Sequence, residues 1–263
     1  MGVLIQNATA VTDAERWQGD ILCREGKIAA LGPSLEPAAG DEVVDASAQY
    51  VFPGGVDPHV HMELPVAGTV SSDDFETGTA AGLAGGTTTI IDFVHPERGQ
   101  DPIDALAARR LEAEKAVADY SFHMAVTWWG EEMARGMSRC VTDEGISSFK
   151  AYLAYKETVG LEDRELVEVM ARIAELDALL LVHAEHGDLV EHLRENLAAA
   201  GRLEPSSHPL SRPPASEGEA THRAAVLAGQ TGAALYVVHV TCRQAAEAVA
   251  TARRENPKLF GET

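Results

Sequence analysis

Seven apolar, strand-like runs alternating with stretches of helical period predict an α/β protein built around a parallel sheet. A change of texture at Pro53-Gly54-Gly55 sets this region apart from an all-β segment before it. Histidines and a lysine recur at the ends of the predicted strands, where barrel enzymes carry their chemistry. The expected architecture is a (β/α)8 TIM-type barrel, incomplete in this chain, behind a small N-terminal β-sandwich module.

The module is expected over 1–52. Short alternating segments (Val3-Leu-Ile, Gly19-Asp-Ile-Leu-Cys, Lys27-Ile-Ala-Ala-Leu, Glu42-Val-Val-Asp) are separated by turn residues such as Arg24-Glu-Gly26 and Ala39-Gly40-Asp41. The barrel is expected over 53–263. Its strands are predicted at Gly55–His61, Thr87–Val94, Ser121–Thr127, Ile146–Tyr152, Ala178–His183, Ala234–His239 and Lys258–Gly261, with helices including Asp101–Ala118, Asp163–Glu175, Gly187–Ala200, Ser216–Thr231 and Arg243–Glu255. Ser206–Ser216, with its three prolines, reads as an ordered loop. A complete barrel of this kind usually takes about 250 residues, and about 210 follow the module. The barrel is therefore expected to stop before its eighth strand, the chain being a fragment of a longer protein.

Composition narrows the function classes. Forty-one acidic against 21 basic residues give a formal charge of -20, which repels phosphate backbones and anionic lipid and argues against a nucleic-acid or membrane partner. Cys23, Cys140 and Cys242 are too few and too scattered for a disulfide framework, which points to a reducing, cytoplasmic setting. No signal peptide and no run long enough to span a bilayer is evident, so a soluble protein is expected.

His59 and His61, one residue apart at a predicted strand end, would point to the same side, since strand side chains alternate faces. Neutral imidazoles at that spacing can grip a borderline metal such as zinc; taken alone, the pair fits two solvated or core-bonded histidines equally well. His183 and His239 close the fifth and sixth strands, and four histidines at one barrel mouth favour metal ligation over separate structural roles. Lys150, near the end of the fourth strand, is either a mouth lysine paired with a carboxylate or a desolvated amine. A neutral amine can capture carbon dioxide as a carbamate, an anionic ligand able to bridge two metals. His123, His186, His192, His208 and His222 read as structural or exposed, and His95 follows a strand end.

Six stretches carry a resemblance: Pro53-Gly-Gly-Val-Asp-Pro-His-Val-His-Met-Glu-Leu-Pro65, Ala84-Gly-Gly-Thr-Thr-Thr-Ile-Ile-Asp-Phe-Val94, Phe149-Lys-Ala-Tyr-Leu-Ala-Tyr-Lys156, Val182-His-Ala-Glu185, His208-Pro-Leu-Ser-Arg-Pro-Pro214 and Tyr236-Val-Val-His-Val-Thr-Cys242. Together they resemble the dihydropyrimidinase and D-hydantoinase branch of the amidohydrolase superfamily, from the N-terminus to Thr263. The resemblance implies two divalent metal ions, with zinc expected, His59 and His61 on the more buried one and His183 and His239 on the more exposed one. It implies Lys150 as the carboxylated bridge and Tyr155 as the catalytic hydroxyl that stabilises the tetrahedral intermediate. The implied reaction is opening of a 5,6-dihydropyrimidine or hydantoin ring to an N-carbamoyl amino acid by a hydroxide bridging the two metals, a step of pyrimidine degradation.

The same resemblance makes Met62–Val70, Val94–Gly99 and Tyr152–Val159 loops over the pocket. Leu64, His95 and Tyr152, beside Tyr155, are candidate substrate contacts, although loop packing explains each equally well. A small cyclic amide is the expected partner, and a homotetramer the expected assembly. The family's sixth metal ligand, a proton-moving aspartate on the eighth strand, has no counterpart here; Asp57 and Asp92 lie on earlier strands and do not match it. Allantoinase or dihydroorotase chemistry is the alternative within enzymes, and a non-catalytic dihydropyrimidinase-related scaffold or an inactive fragment the alternative outside them. Met62-Glu-Leu-Pro65 and the Lys150-to-Tyr155 spacing favour the dihydropyrimidinase side.

Overall fold

The computed structural model describes residues 1–66 and 68–263. Ala67, inside the expected Met62–Val70 loop, lies outside the described residues. The chain forms two units, Met1–Gly55 and Val56–Thr263.

The first unit contains β1 (Gly2–Val11), β2 (Arg16–Arg24), β3 (Lys27–Gly32), β4 (Glu42–Asp45) and β5 (Tyr50–Val51). The sequence suggests a sandwich; the structure has one five-stranded sheet instead. The reason is the length of β1. Its ten residues pair antiparallel with β2 along one side, and along the other accept β4 and then β5 in parallel, so every strand finds its partner in a single layer. The β1–β2 register shifts between Ile5 and Ala8, where Asn7 takes a left-handed φ of 62° and donates its main-chain N–H to Asp20.

The second unit runs β6 (Gly55–Asp57), a small hairpin of β7 (Pro65–Val66) and β8 (Thr69–Val70), α1 (Phe75–Gly85), β9 (Thr87–Val94), α2 (Pro102–Ala113), β10 (Asp119–Ala125), α3 (Glu131–Thr142), β11 (Ser148–Tyr152), α4 (Asp163–Glu175), β12 (Leu179–His183), α5 (Gly187–Ala199), α6 (His208–Ser211), α7 (Pro214–Thr231), β13 (Ala234–Val237), α8 (Arg243–Ala252) and β14 (Leu259–Gly261). Seven strands form one curled sheet in the order β14-β13-β12-β11-β10-β9-β6, the sequential order of a βα barrel, and every pairing from β9 to β14 is parallel.

Local chemistry explains the helices. In α4, Glu162 and Glu165 form a capping box, and Leu166, Val169, Met170 and Ile173 recur at helical spacing and are all fully buried. Each such burial stabilises the fold by about 1.5–3 kcal/mol. Asp101 caps α2 by accepting from the Ile103 N–H, with Pro102 in the first turn. These faces meet Met124, Phe149, Leu180, Val182 and Leu235 from the strands in the main core. A smaller apolar cluster, Phe93, Leu181 and Val238, lies apart from it.

Several element boundaries differ from the sequence expectation, and three of the differences have a clear local cause. β6 ends at Asp57, not His61, because Pro58 has no N–H for the ladder and the Asp57 carboxylate accepts from the His59 N–H at 3.1 Å, turning the chain. β13 ends at Val237, not His239, because His239 adopts a left-handed φ of 41°. The expected loop Ser206–Ser216 holds a 3₁₀ turn at Pro205–Ser207, α6 and the start of α7, since Pro209 and Pro214 sit in first turns, where a missing N–H removes no helical bond.

Candidate active site

One cavity of about 1130 Å³ in the second unit is lined by all nine residues singled out from the sequence: His59, His61, Leu64, His95, Lys150, Tyr152, Tyr155, His183 and His239. Segments of the three expected loops contribute to its walls through Leu64 to Val66, through His95 and Glu97, and through Tyr152, Tyr155, Thr158 and Val159.

His59 and His61 lie beyond the strand, so alternation of faces does not bring them together. Phe93 does. Its ring lies 4.7 Å from that of His61 in a stacked arrangement and 4.9 Å from that of His59. His123 braces the same segment: its Nε2–H donates to the Pro58 carbonyl at 2.9 Å, which leaves Nδ1 to accept from the Ser148 hydroxyl at 2.6 Å. Beyond His61, the Asp92 carboxylate takes the Met62 N–H at 2.7 Å while Arg109 donates to the Met62 carbonyl. The histidine motif is therefore held at both ends.

His183 and His239 form a second pair, with Nδ1 of the first 3.0 Å from Nε2 of the second. The His183 Nε2–H donates to Glu185 at 2.7 Å, and Glu185 also receives Arg212. With its proton on Nε2, a neutral His183 presents Nδ1 as a lone pair toward His239. The two facing nitrogens can share one proton or take one cation; their separation is close to the ~3.3 Å expected of two nitrogens bound to one tetrahedral zinc.

Lys150 lies between the pairs. Its Nζ is 5.2 Å from the centre of the Phe93 ring and 5.4 Å from that of Tyr152, and its side chain is 1% exposed. Burial pushes its ammonium down to about 7, against the pull of Glu262. Burial likewise lowers the histidines, His61 to about 3 and His95 and His239 to about 4, while the Lys150 charge adds to the effect on each. All three imidazoles are neutral at pH 7, the form in which histidine ligates metal.

Among the described residues, no three His, Cys, Asp or Glu side chains form a group able to hold a metal ion. The histidines come instead as two pairs with a buried amine between them. That donor set fits two cations only if Lys150 becomes an anionic, two-oxygen ligand, as its carbamate would be. The buried His61 Nδ1 has no hydrogen-bond partner among the described residues, which leaves its lone pair or proton uncommitted within the protein.

Tyr155 is displayed by strained backbone. Its φ is 60°, a conformation uncommon for an aromatic residue, and its carbonyl is held by the N–H groups of Thr158, Val159 and Gly160. Gly160 is required there, since a Cβ would stand 2.8 Å from the Lys156 nitrogen. The Tyr155 ring lies 5.2 Å from that of His183, and the Arg212 guanidinium sits 5.3 Å from its centre. Tyr152, whose phenol is raised by burial, is bonded at 2.8 Å to His95 Nε2.

Sequence reasoning did not single out Phe93, Glu185, Arg212 or Glu262 as individual site residues. Glu185 and Arg212 fall within recognised motifs, whereas Glu262 follows the last short strand with no motif around it. It lines the cavity, 2.6 Å from His59.

The amidohydrolase family profile matches residues 50–254. Over the whole chain the sequence is 43% identical to a D-hydantoinase of Geobacillus stearothermophilus, covering 56% of that protein, and over 99% of the chain it is 42% identical to a dihydropyrimidinase of Dictyostelium discoideum, covering 52%. A crystal structure of D-hydantoinase superposes on all of the chain with a TM-score of 0.97 at 43% identity, the chain covering 57% of it. A dihydropyrimidinase structure from Brevibacillus agri NCHU1002 gives the same score at 41% identity, again with 57% covered. The chain thus spans about half the length of the curated relatives it matches. From the match over most of its length, and from the curled parallel sheet it shares with these structures, the chain belongs to the amidohydrolase family, where it resembles the D-hydantoinases and dihydropyrimidinases.

Proposed function

We propose that the full-length protein carrying this chain hydrolyses a cyclic amide, opening the ring of a 5,6-dihydropyrimidine or a hydantoin to an N-carbamoyl amino acid. The observation that carries this reading is the convergence of two histidine pairs, Lys150 and Tyr155 on one cavity. The names of the relatives, D-hydantoinase and dihydropyrimidinase, support the choice of ring.

Two divalent metal ions, zinc being expected, would be held by His59 with His61 and by His183 with His239, with carboxylated Lys150 joining them. When bound they supply a water that ionises near neutral pH and polarise the carbonyl under attack. Burial prepares Lys150 for its part: the neutral amine bonds to the carbon of carbon dioxide and releases a proton, and the resulting carbamate would offset part of the metal charge. Tyr155 faces the cavity with its hydroxyl as a donor to the oxyanion that develops on the ring carbonyl. The apolar wall of Leu64, Val66 and Val159 would receive the ring substituent, while the Tyr152–His95 bond fixes two further rings beside it. Net addition of water places OH on the carbonyl carbon and H on the ring nitrogen as the C–N bond breaks.

A homo-oligomer, tetrameric by the resemblance, and a cytoplasmic setting belong to the same proposal. The three cysteines are free, and among the described residues no helix is long and apolar enough to cross a membrane. The test is turnover by the zinc-loaded full-length protein of dihydrouracil, dihydrothymine and 5-substituted hydantoins, with allantoin and dihydroorotate alongside. Ring opening of the first group supports the proposal. Turnover confined to the last two moves the assignment to a sister activity, and no turnover by a metal-loaded protein contradicts it.

A further inference from the structure

Glu262 follows β14 and lines the cavity, where its two carboxylate oxygens are used separately. Oε1 lies 2.6 Å from His59 Nδ1, and Oε2 accepts from the Tyr236 hydroxyl at 3.1 Å. The Glu262 main chain is fixed as well, its N–H donating to the Val237 carbonyl at 3.0 Å and its carbonyl accepting from the Val240 N–H at 2.6 Å. Thus the end of β14 is tied to the chain on both sides of His239, and its side chain reaches across the cavity to the residue that opens the first histidine pair. A carboxylate accepts only, so the proton between Glu262 and His59 belongs to His59 Nδ1. The neutral ring then has its lone pair on Nε2.

We propose that Glu262 is a positioning residue: it holds His59 through Nδ1, fixes the tautomer whose Nε2 is free to ligate, and is itself aimed by Tyr236. This rests on the reading of His59 as a metal ligand given above. The second histidine pair is built the same way, with Glu185 on His183 Nε2 and Arg212 behind Glu185, so that each proposed metal position has one histidine backed by an anchored carboxylate. Such partners orient a ligating ring and raise its basicity, and their loss typically lowers metal affinity by about 10- to 100-fold.

The experiment uses the full-length protein and three variants, Glu262→Gln, Glu262→Ala and Tyr236→Phe. In the metal-free proteins, ¹⁵N shifts of the His59 ring report its tautomer. The wild type is expected as the Nδ1–H form, and Glu262→Ala as the mixture of an unconstrained imidazole. Zinc affinity, measured by competition with a chelator, is expected to fall about 10- to 100-fold at one site in Glu262→Ala, less in Glu262→Gln, whose amide oxygen can still accept, and least in Tyr236→Phe. Tyr236→Phe keeps the carboxylate, so it reads the relay even if the Glu262 variants fold poorly.

In Glu262→Ala, an unchanged His59 tautomer with zinc affinity within twofold of wild type overturns the positioning role. Complete loss of one zinc from Glu262→Ala with the tautomer unchanged also overturns it, since Glu262 would then be a ligand itself. A wild-type protein that binds no zinc defeats the reading of the site, whereas a wild type that binds it with variants that do so equally well defeats this inference alone.

Discussion

Arg109 and Asp92 form a buried ion pair, 2.7 Å between Nη2 and Oδ1, that also clamps the main chain one residue past His61. Arg109 is 9% exposed and Asp92 fully buried. Burial pushes the Asp92 carboxyl up, while Arg109 and the Met62 and Phe93 amides pull it down. Removing one partner leaves a charge in the core, so Arg109→Ala is expected to destabilise the protein by about 3–5 kcal/mol. The double variant Asp92→Leu/Arg109→Met restores packing but leaves the Met62 and Phe93 amides without acceptors, and should remain destabilised by about 1–3 kcal/mol per orphaned group. Urea unfolding midpoints decide between these outcomes; a neutral Arg109→Ala would show the clamp to be dispensable.

Tyr155→Phe removes the proposed oxyanion donor and keeps the ring that packs against His183. Its kcat on the best cyclic amide is expected to fall about 10²- to 10³-fold with little change in KM. A rise in KM at constant kcat would make Tyr155 a binding contact only.

If Lys150 is the proposed bridge, Lys150→Ala should lower metal content, and short carboxylic acids should restore part of the activity by standing in for the carbamate. In the wild type, ¹³C-labelled bicarbonate should give a carbamate carbon signal that Lys150→Ala lacks. Unchanged metal content in the variant would remove the bridging role.

Asp20 gives a pH dependence outside the cavity. The main-chain N–H groups of Leu35 at 2.8 Å and Asn7 at 2.9 Å hold its carboxyl below the usual carboxylate range. The folded pKa is depressed, so the stabilisation is present above the unfolded value and is lost as pH falls through the folded one, below about pH 4. Hydrogen exchange at the Asn7 and Leu35 amides, corrected for the intrinsic rate, should lose protection in that range, and Asp20→Asn, which keeps one acceptor oxygen, should lack it at one of the two amides at neutral pH. Protection independent of both would contradict this account.

The barrel was legible because its strands are near-continuous apolar runs and its helices carry caps and periodic faces. Leu166, Val169, Met170 and Ile173 announce α4 with no help from tertiary structure. The strands that end earlier than the sequence reading are stopped by local backbone geometry. Asp57 stops β6 early, and the left-handed His239 stops β13, which changes why the histidines converge without changing where they go. The partners of the histidines were illegible for a different reason. Glu262 is 203 residues from His59 with no motif around it, and Glu185, two residues from His183, lies in a recognised motif that does not tell which group its carboxylate meets. In the N-terminal unit the strand segments were readable, but the choice between one sheet and two depends on which strands pair with β1, and alternation alone does not specify that.

The most direct test of the central claim, that two histidine pairs and Lys150 form one metal-dependent site, is the metal content per chain of the full-length protein. The account predicts about two divalent ions per wild-type chain, falling when either His59 or His183 is replaced by alanine. A wild-type protein that is folded and takes up no metal under zinc excess would contradict it.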